Sequence, residues 1–349
     1  PAGTLEVFET AVARGADAVY IGAPALNARA LAKHFSMAEI AAMIDHAHGR
    51  KVKVFLAMNS LAREEELPQA ARTLAMLEAL GADGLILQDL GLYQLARKHF
   101  PGLRLHASTL LAAHNSLAVR QLAEMGFSRI VLARDLTLAE MGTIRTANPE
   151  VELEVFIHGA LCFSYSGLCL FSSYLGGKSG LRGRCVQPCR RRYTWSGRGD
   201  GPQSGYLFSM HDLAGLDFLP RLRAAGITSL KIEGRMRSAQ YVGAVVAGYR
   251  LALDHPDDPE RLKEAGSLLE EAMGRKSTPG YFSASEPPAA FSPEHSGNIG
   301  LFLGKLGAGG GTTRLKLQAA LKKGDRLRLH QEQSGDRQAF TLKKLWRNG

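Results

Sequence analysis

A regular alternation of short β-type runs with amphipathic helical segments limits the fold more than any other feature of this sequence. Seven such runs recur, at 18–22, 52–59, 84–89, 103–109, 129–134, 153–159 and 229–235. The links from helix to strand are brief and contain Gly15, Gly81, Gly126 and Gly226, which suit left-handed helix ends. Buried strands that alternate with helices predict an α/β fold with a parallel sheet and helical crossovers.

The number of runs favours a TIM-like (β/α)8 barrel, in which an eighth strand would end near Pro1. No glycine-rich dinucleotide fingerprint follows any run, which argues against a doubly wound Rossmann sheet. In such a barrel the chemistry gathers at the carboxyl ends of the strands. Polar residues can also stand there simply because strands exit to solvent. The polar residues at these ends are Asn59, Gln88, Asp89, His106, Ser108, Thr109, Arg134, His158, Lys231, Glu233 and Arg235.

The sequence predicts three parts. Residues 1–255 form the barrel domain, with a cysteine-containing insertion at 160–228 that is long enough to serve a site. Residues 256–290 read as a proline-rich linker with a helix. Residues 291–349 form a small β-barrel-like domain of short strands and turns, with a hairpin signal at 324–325.

The net charge of +10 is concentrated in two stretches. Residues 178–199 hold seven Lys or Arg and no acid, and residues 291–349 hold eleven against four acids. Localised positive charge is typical of a protein that binds a polyanion. The alternative is that these residues only solvate two surface regions.

Nothing in the sequence indicates a membrane or an export signal. No apolar run reaches the roughly 20 residues that a spanning helix needs. The first residues lack a basic segment followed by an apolar one. We therefore expect a cytoplasmic location.

All four cysteines lie within 28 residues, at Cys162, Cys169, Cys185 and Cys189. Disulfides are disfavoured because cytosolic thiols stay reduced, and inert buried thiols are a second alternative. A set of four thiolates suits either zinc or an iron–sulfur cluster. Only Cys185 and Cys189 have the close spacing usual in structural zinc sites, so the spacing favours iron mildly and leaves zinc open.

Two groups at the strand ends suit catalysis and anion binding. His106 and His158 are candidates for acid–base work, although a hydrogen-bonded structural histidine is the alternative for each. Lys231, Glu233 and Arg235 alternate along one strand end and are predicted to share a face. That face would hold a small dicarboxylate, with Arg235 as a bidentate clamp and Glu233 orienting it. The alternative is a structural ion pair.

Three separated motifs resemble one known family. They are PAGTLEVFETAVARGADAVYIG, then EVFIHGALCFSYSGLCLFSSYLGG with RGRCVQPCRRRY, then SLKIEGRMRSAQYVGAVVAGYRLALD. Together they are similar to the collagenase-like peptidase family of unknown catalytic type, which includes bacterial proteins for prephenate-dependent RNA hydroxylation. The resemblance runs from Pro1 to about residue 255, and the tail resembles the C-terminal β-barrel of that family more weakly.

The resemblance implies hydroxylation of an RNA pyrimidine, with prephenate as co-substrate. The product would be 5-hydroxyuridine in tRNA or 5-hydroxycytidine in large-subunit rRNA. In related members cysteines of this segment bind a [4Fe-4S] cluster, which implies Cys162, Cys169 and Cys185 as ligands and Cys189 as the fourth. The partner is then tRNA or rRNA, together with a possible electron donor, and the oligomeric state stays open.

This hypothesis assigns a role to each group of residues. Basic residues of the insertion would contact phosphates, and Tyr165 and Tyr174 would stack on an extruded base unless they only pack near the metal. The catalytic residues would be His158, His106 and Glu233. The substrate-binding residues would be Lys231, Arg235, Asn59, Arg134 and Tyr165. The RNA-binding residues would be Lys178, Arg182, Arg184, Arg190, Arg191 and Arg192.

A collagenase-like peptidase is the alternative function. It would need a hydroxyl or a reactive thiol beside a histidine and an orienting acid. His158 lies near Cys162 in the sequence, and His106 lies near Ser108. However, neither a nucleophile elbow nor an HExxH zinc motif occurs, and thiols that bind a metal are not free to attack.

Overall fold

A computed structural model of the chain describes residues 1–29, 34–196, 203–272, 274–283, 290–291, 302–306, 315–318, 320–331 and 337–345. Its helices are α1 (Leu5–Ala13), α2 (Met37–His48), α3 (Leu67–Ala79), α4 (Leu90–His99), α5 (Ser116–Met125), α6 (Leu138–Ala147), α7 (Phe171–Gly176), α8 (Leu219–Ala224), α9 (Ala239–Asp254) and α10 (Pro259–Ala272). Its strands are β1 (Ala18–Gly22), β2 (Lys53–Met58), β3 (Gly84–Leu87), β4 (Leu105–Ala107), β5 (Arg129–Val131), β6 (Glu152–Ala160), β7 (Tyr193–Trp195), β8 (Gln203–Gly205), β9 (Asp212–Ala214), β10 (Ser229–Ile232), β11 (Ser277–Thr278), β12 (Arg326–His330) and β13 (Arg337–Thr341).

The central sheet is mostly parallel, as the sequence predicts. Strands β1 to β6 pair in parallel in chain order, and β10 pairs in parallel with β6. The last residues of β6 pair antiparallel with β9, which in turn pairs in parallel with β11. The predicted α/β class with helical crossovers is therefore confirmed.

Side-chain contacts connect β1 and β10, the first and last strands of the parallel set. The Tyr20 hydroxyl on β1 donates to the carbonyl oxygen of Ile232 on β10 at 3.0 Å. The Lys231 ammonium lies 4.6 Å from the centroid of the Tyr20 ring. The N–H of Ala2 donates to the carbonyl oxygen of Tyr20 at 3.0 Å, so the first residues lie beside β1. Closure of eight strands into a barrel stays a prediction.

The helix ends follow the signals read from the sequence. Gly15, Gly81, Gly126 and Gly226 all have positive φ angles, between 69° and 106°, which confirms the predicted left-handed turns. Several helices begin at side-chain caps, and Ser36 forms a capping box with Glu39 at the start of α2. Each cap satisfies backbone N–H groups that have no partner inside the helix.

The sheet has two differently filled faces. A large apolar core packs between one face and the helices. A second, small cluster comprises Phe55, Ala57 and Ile86, with Ala18 and Tyr20 packed against it. Alternate residues of a strand point to opposite faces, so we call the face that carries this second cluster the inner face.

The insertion and the tail are described in part. Strands β7 and β8 pair as an antiparallel hairpin. Strands β12 and β13 form a second hairpin. The predicted hairpin signal at Gly324 and Asp325 does not mark its loop: Gly324 donates to Leu342 and Asp325 accepts from it, so both residues lie at the open end of the hairpin. Most of the segment 291–315 lies outside the described residues, so the small C-terminal domain and the domain boundaries stay predictions. None of the described helices is long and apolar enough to cross a membrane.

Candidate functional site at the carboxyl end of the sheet

A row of neutral polar side chains ends three neighbouring strands. The register pairs Met58 with Leu87 and Leu87 with Ala107, so Asn59, Gln88 and Ser108 follow in one row. Asn59 and Gln88 each lie two residues after an inner-face residue, Ala57 and Ile86, so the row lies on the inner face. Asn59 Nδ2 donates to Ser108 Oγ at 3.2 Å, and Asn59 Oδ1 accepts from the N–H of Ala28 at 3.0 Å.

A cluster of three arginines stands beside this row. Glu233, just beyond β10, forms an ion pair of 2.9 Å with Arg29. Burial opposes the ionisation of Glu233, but Arg29, Arg235 and Arg134 outweigh it and lower its pKa to about 2. The Asp135 carboxylate also interacts electrostatically with Arg134, but its direct contact is with His114 Nε2. Arg29 thus contacts the ionised carboxylate, and Arg235 and Arg134 act on it electrostatically; we call these four residues the arginine cluster.

A small pocket opens at the edge of the arginine cluster. The space in it that is open to a water-sized molecule is about 20 Å³, and it is lined in part by Arg29, Arg235, Asn27 and Gly22. Arg235 is nearly buried, and its Nη1 lies 3.5 Å from Asn27 Oδ1. Burial lowers the pKa of Arg235 from its usual value, which shows that its charge is poorly compensated. An anion would relieve this cost.

Lys231 lies deeper than Glu233 and is already paired. Its ammonium is 2.7 Å from Glu154, which also pairs with Arg129 at 3.2 Å. Both side chains of the Lys231–Glu154 pair are less than a tenth exposed. This geometry favours the structural ion pair that was the alternative for Lys231, and substrate binding by Lys231 stays a prediction.

His106 belongs to the same buried layer. Its ring packs edge-on against Phe55 at 4.8 Å, and it lies beside Gly84. Burial, followed by the charge of Arg129, lowers the pKa of His106 to about 3, so the ring is neutral near pH 7. Its predicted catalytic role stays a prediction, at a place below the row at the strand ends.

His158 faces away from the site because of a β-bulge. Lys231 pairs with Phe156 but Ile232 pairs with His158, so one extra residue reverses the alternation on β6. The His158 ring contacts Tyr249 and Tyr241 of α9, with Nδ1 3.3 Å from the Tyr249 hydroxyl. Burial lowers its pKa to about 4. His158 therefore lies against α9, away from the other strand ends, and its catalytic role stays a prediction.

The cysteine-containing segment, residues 160–192, is docked on the loops after β2, β4 and β5. Arg182 donates to both carboxylate oxygens of Glu66, at 2.6 and 2.8 Å, and to the carbonyl oxygen of Leu61. On the other side, Ser166 donates to Asp135 at 3.1 Å. Gly167 approaches the backbone of Leu110 so closely that a Cβ there would lie 2.7 Å from its carbonyl oxygen. These contacts fix the segment over the carboxyl end.

Two of the six arginine and lysine residues predicted to bind RNA are used inside the protein. Arg182 is held by Glu66, as described. Arg190 donates to the carbonyl oxygens of Leu161 and Met210 and to Ser209 Oγ. Both side chains are half-buried. Both side chains anchor the segment, and their part in RNA binding stays a prediction. The other four basic residues are exposed, namely Lys178, Arg184, Arg191 and Arg192.

The four thiols lie in one neighbourhood. Burial, reinforced by Cys162, Cys185 and Cys169 and opposed by Arg190, raises the pKa of Cys189 to about 11. Arg134 Nη2 donates to Cys162 Sγ at 3.1 Å. Within the described residues no three His, Cys, Asp or Glu side chains are already gathered closely enough to hold a metal ion. The donor chemistry still fits a thiolate-bound metal, since arginines border the thiols and would offset their negative charge.

The outer surface of the segment is basic and aromatic. Residues 155–199 contain no Asp or Glu. Tyr165 and Tyr174 are 67% and 87% exposed and belong to the same segment as the exposed basic residues. Aromatic rings beside cations are typical of surfaces that bind single-stranded nucleic acid.

Sequence reasoning missed a polar network behind Tyr165. His114 Nε2 lies 2.6 Å from Asp135 Oδ2, and its Nδ1 lies 2.8 Å from the carbonyl oxygen of Ala112. Ser166 Oγ bonds the other oxygen of Asp135 at 3.1 Å. A peptidase relay needs the histidine between the hydroxyl and the acid, but here the acid lies between them. These three residues are therefore not arranged as a serine protease triad.

These features define an α/β protein in which a thiol-containing segment is fixed over an arginine-rich site. Residues 3–290 match peptidase family U32. The chain belongs to this family, which confirms the resemblance read from the motifs.

Three relatives show the range of names in the family. The chain is 38% identical over 278 residues to the 23S rRNA 5-hydroxycytidine C2501 synthase of Escherichia coli, a match that covers 79% of the chain but only 41% of that protein. It is 32% identical to tRNA hydroxylation protein P of E. coli, covering 73% and 67% of the two chains. It is 36% identical to an uncharacterized protease of Methanocaldococcus jannaschii, covering 81% and 72%.

Proposed function

We propose that the protein is an enzyme that hydroxylates a pyrimidine of RNA, giving 5-hydroxyuridine in tRNA or 5-hydroxycytidine in large-subunit rRNA. The observation that carries the proposal is the acid-free, basic and aromatic surface of the cysteine-containing segment, docked beside the arginine cluster. The names of two relatives support it. Such a substrate places the protein in the cytoplasm.

The exposed cations would bind the phosphates, and the exposed rings would bind bases. Lys178, Arg184, Arg191 and Arg192 supply charge without a sequence preference. Tyr165 or Tyr174 would stack on a base that has left its helix, because a pyrimidine inside a duplex cannot reach a protein site. The anchors Arg182 and Arg190 keep this surface in place.

The arginine cluster would bind an anionic co-substrate, and prephenate is the dicarboxylate that we propose. Arg235 and Arg29 line the pocket, and Arg134 supplies a third guanidinium close to Glu233. Arg134 Nε is buried without a hydrogen-bond partner in the described structure, so it retains a donor for a ligand. Glu233 keeps its charge and orients Arg29. Asn59 positions the row, since both ends of its amide are bonded.

The four cysteines would hold a [4Fe-4S] cluster, with zinc as the alternative. Cys162, Cys169, Cys185 and Cys189 are the ligands, and Arg134 and Arg190 balance their charge. When bound, such a cluster supplies one-electron transfer, which requires an electron donor as a partner.

The basic surface gives the first prediction. Replacing Lys178, Arg184 and Arg191 together with glutamine should make the negative slope of log Kobs against log salt shallower by about 2 units for single-stranded RNA. The reason is that each phosphate contact contributes about 0.7 to the magnitude of this slope. Fluorescence anisotropy over a salt series measures this slope. The control is Arg72→Gln, an exposed residue of α3. A slope unchanged by the triple variant would show that RNA binds elsewhere.

The activity gives the second prediction. Deleting the gene from its host should remove a 5-hydroxyuridine derivative from tRNA or 5-hydroxycytidine from large-subunit rRNA, as read by mass spectrometry of nucleosides. A plasmid copy of the gene should restore the missing nucleoside. Unchanged nucleosides, together with cleavage of gelatin by the purified protein, would overturn RNA hydroxylation in favour of the peptidase.

A further inference from the structure

Gln88 is the one member of the neutral row whose side chain forms no hydrogen bond within the part of the chain that the structure describes. In the described structure Asn59 is bonded at both ends of its amide, and Ser108 Oγ accepts from Asn59 and from the N–H of Leu110. Gln88 Oε1 has no partner among the described residues, although the residue is only 7% exposed. Gln88 therefore differs from its two neighbours.

A buried amide without a partner is costly and uncommon. Removing an amide from water without a compensating hydrogen bond destabilises the folded state. Most buried side-chain polar atoms have a partner, and the exceptions need an explanation. A ligand that donates a hydrogen bond to Gln88 Oε1 would explain why an amide stands at this position. The position is at the carboxyl end of the strands, where the active sites of such sheets lie.

The position of Gln88 connects it with the RNA surface. The cysteine-containing segment docks on Leu61 and Glu66 after β2 and on Leu110 after β4. Strand β3 lies between β2 and β4 in the sheet, so its end lies between these docking points. The site thus has a neutral part around Gln88 and a cationic part around Glu233. The neutral part suits an uncharged base edge, because it offers hydrogen bonds without a net charge.

We propose that Gln88 reads the hydrogen-bonding edge of the extruded pyrimidine, an inference that rests on the proposed RNA hydroxylation. A primary amide offers one acceptor and two donors. Its oxygen can accept from uracil N3–H while its nitrogen donates to O4. When the amide group rotates by half a turn about the last bond of the side chain, its oxygen accepts from the N4 amino group of cytosine and its nitrogen donates to N3. One glutamine therefore accepts both pyrimidines.

The test compares two RNAs of equal charge on the full-length protein. The probes are heptauridylate and the same heptamer in which every uracil carries a methyl group on N3. The methyl group removes the donor that Gln88 would bind but leaves the phosphates and the stacking faces. Wild type should bind heptauridylate about ten-fold more tightly than the methylated heptamer. Heptacytidylate should bind within about three-fold of heptauridylate.

Gln88→Met keeps the length of the side chain and should abolish the preference against N3-methylation. Its thermal midpoint should equal or exceed that of wild type, because the change removes an unpartnered buried amide. The matched control is Gln121→Met, an exposed residue of α5, which should keep the preference. A clear loss of stability in Gln88→Met would show that Gln88 has a structural role and overturn the inference.

The outcomes separate this inference from the proposed function. If neither heptamer binds, the RNA surface itself is wrong. If both bind equally well to wild type, with the salt dependence of a phosphate contact, RNA binding stands and the role of Gln88 is overturned. A heptacytidylate affinity more than ten-fold below that of heptauridylate would contradict an amide that turns to suit both bases.

Discussion

Replacing Glu154 with glutamine is expected to lower the free energy of unfolding by about 3–5 kcal/mol. Glu154 is buried and is bonded to Lys231 at 2.7 Å, to Arg129 at 3.2 Å and to Ser229 at 2.8 Å. Glutamine removes the negative charge and leaves the Lys231 ammonium buried without a counter-charge. Urea unfolding followed by circular dichroism measures the loss.

The same carboxylate predicts a pH dependence of stability. Burial opposes its ionisation, but Lys231 and Arg129 prevail and lower the pKa of Glu154 from 4.5 to about 2. A pKa lower in the folded than in the unfolded state stabilises the fold above the unfolded value. The shift corresponds to about 3 kcal/mol, in line with the expected loss. This contribution should disappear as the pH falls from about 4.5 to 2, and Glu154→Gln should lack that part of the acid dependence.

Glu152 provides the matched control for Glu154. It lies two residues earlier on β6 and pairs with Arg129 at 2.7 Å, but its side chain is 38% exposed. Exposed ion pairs contribute at most about 1 kcal/mol, so Glu152→Gln should have a small effect. Equal losses for the two variants would contradict the assignment of Lys231 and Glu154 to a buried structural pair.

The periodic features of the fold could be predicted from the sequence because each depends on local chemistry. Short apolar runs predicted the parallel strands, and glycines at helix ends predicted the left-handed conformation that Gly126 and Gly226 adopt. The proximity of Arg29 to Glu233 was not foreseeable, because 204 residues separate them in the sequence.

The placement of two predicted site residues has specific structural causes. The strand pattern alternates regularly through His158, but the bulge between Phe156 and His158 turns the histidine towards α9. A bulge of this kind depends on the partner strand and leaves no fixed signal in a single sequence. The run Arg190–Arg192 looks uniformly basic, yet Arg190 is folded inward while the next two arginines are exposed. Such a division depends on which carbonyl groups lie nearby in the fold.

Replacing Cys189 with serine is expected to abolish both the iron–sulfur cluster and RNA hydroxylation. Burial raises the pKa of the Cys189 thiol, and the other three thiols add to that rise. A serine hydroxyl is a poor substitute for a thiolate ligand, so a four-thiolate site would lose one of its bonds. The other three cysteines in the 28-residue span cannot replace it, because the chain contains four in total.

Anaerobic purification followed by visible absorption and assays of iron and sulfide tests this expectation without depending on activity. Wild type should carry about four iron atoms and four sulfides per chain, and Cys189→Ser should carry far less. The control Ser173→Ala, an exposed change on α7 within the same segment, should keep the full content.

A colourless wild type loaded with zinc would replace the cluster with a structural zinc site. Full iron in Cys189→Ser would mean that the fourth ligand comes from outside the cysteines. Because Arg190 follows Cys189 directly and bonds Leu161 beside Cys162, loss of the metal should also loosen the anchored RNA surface.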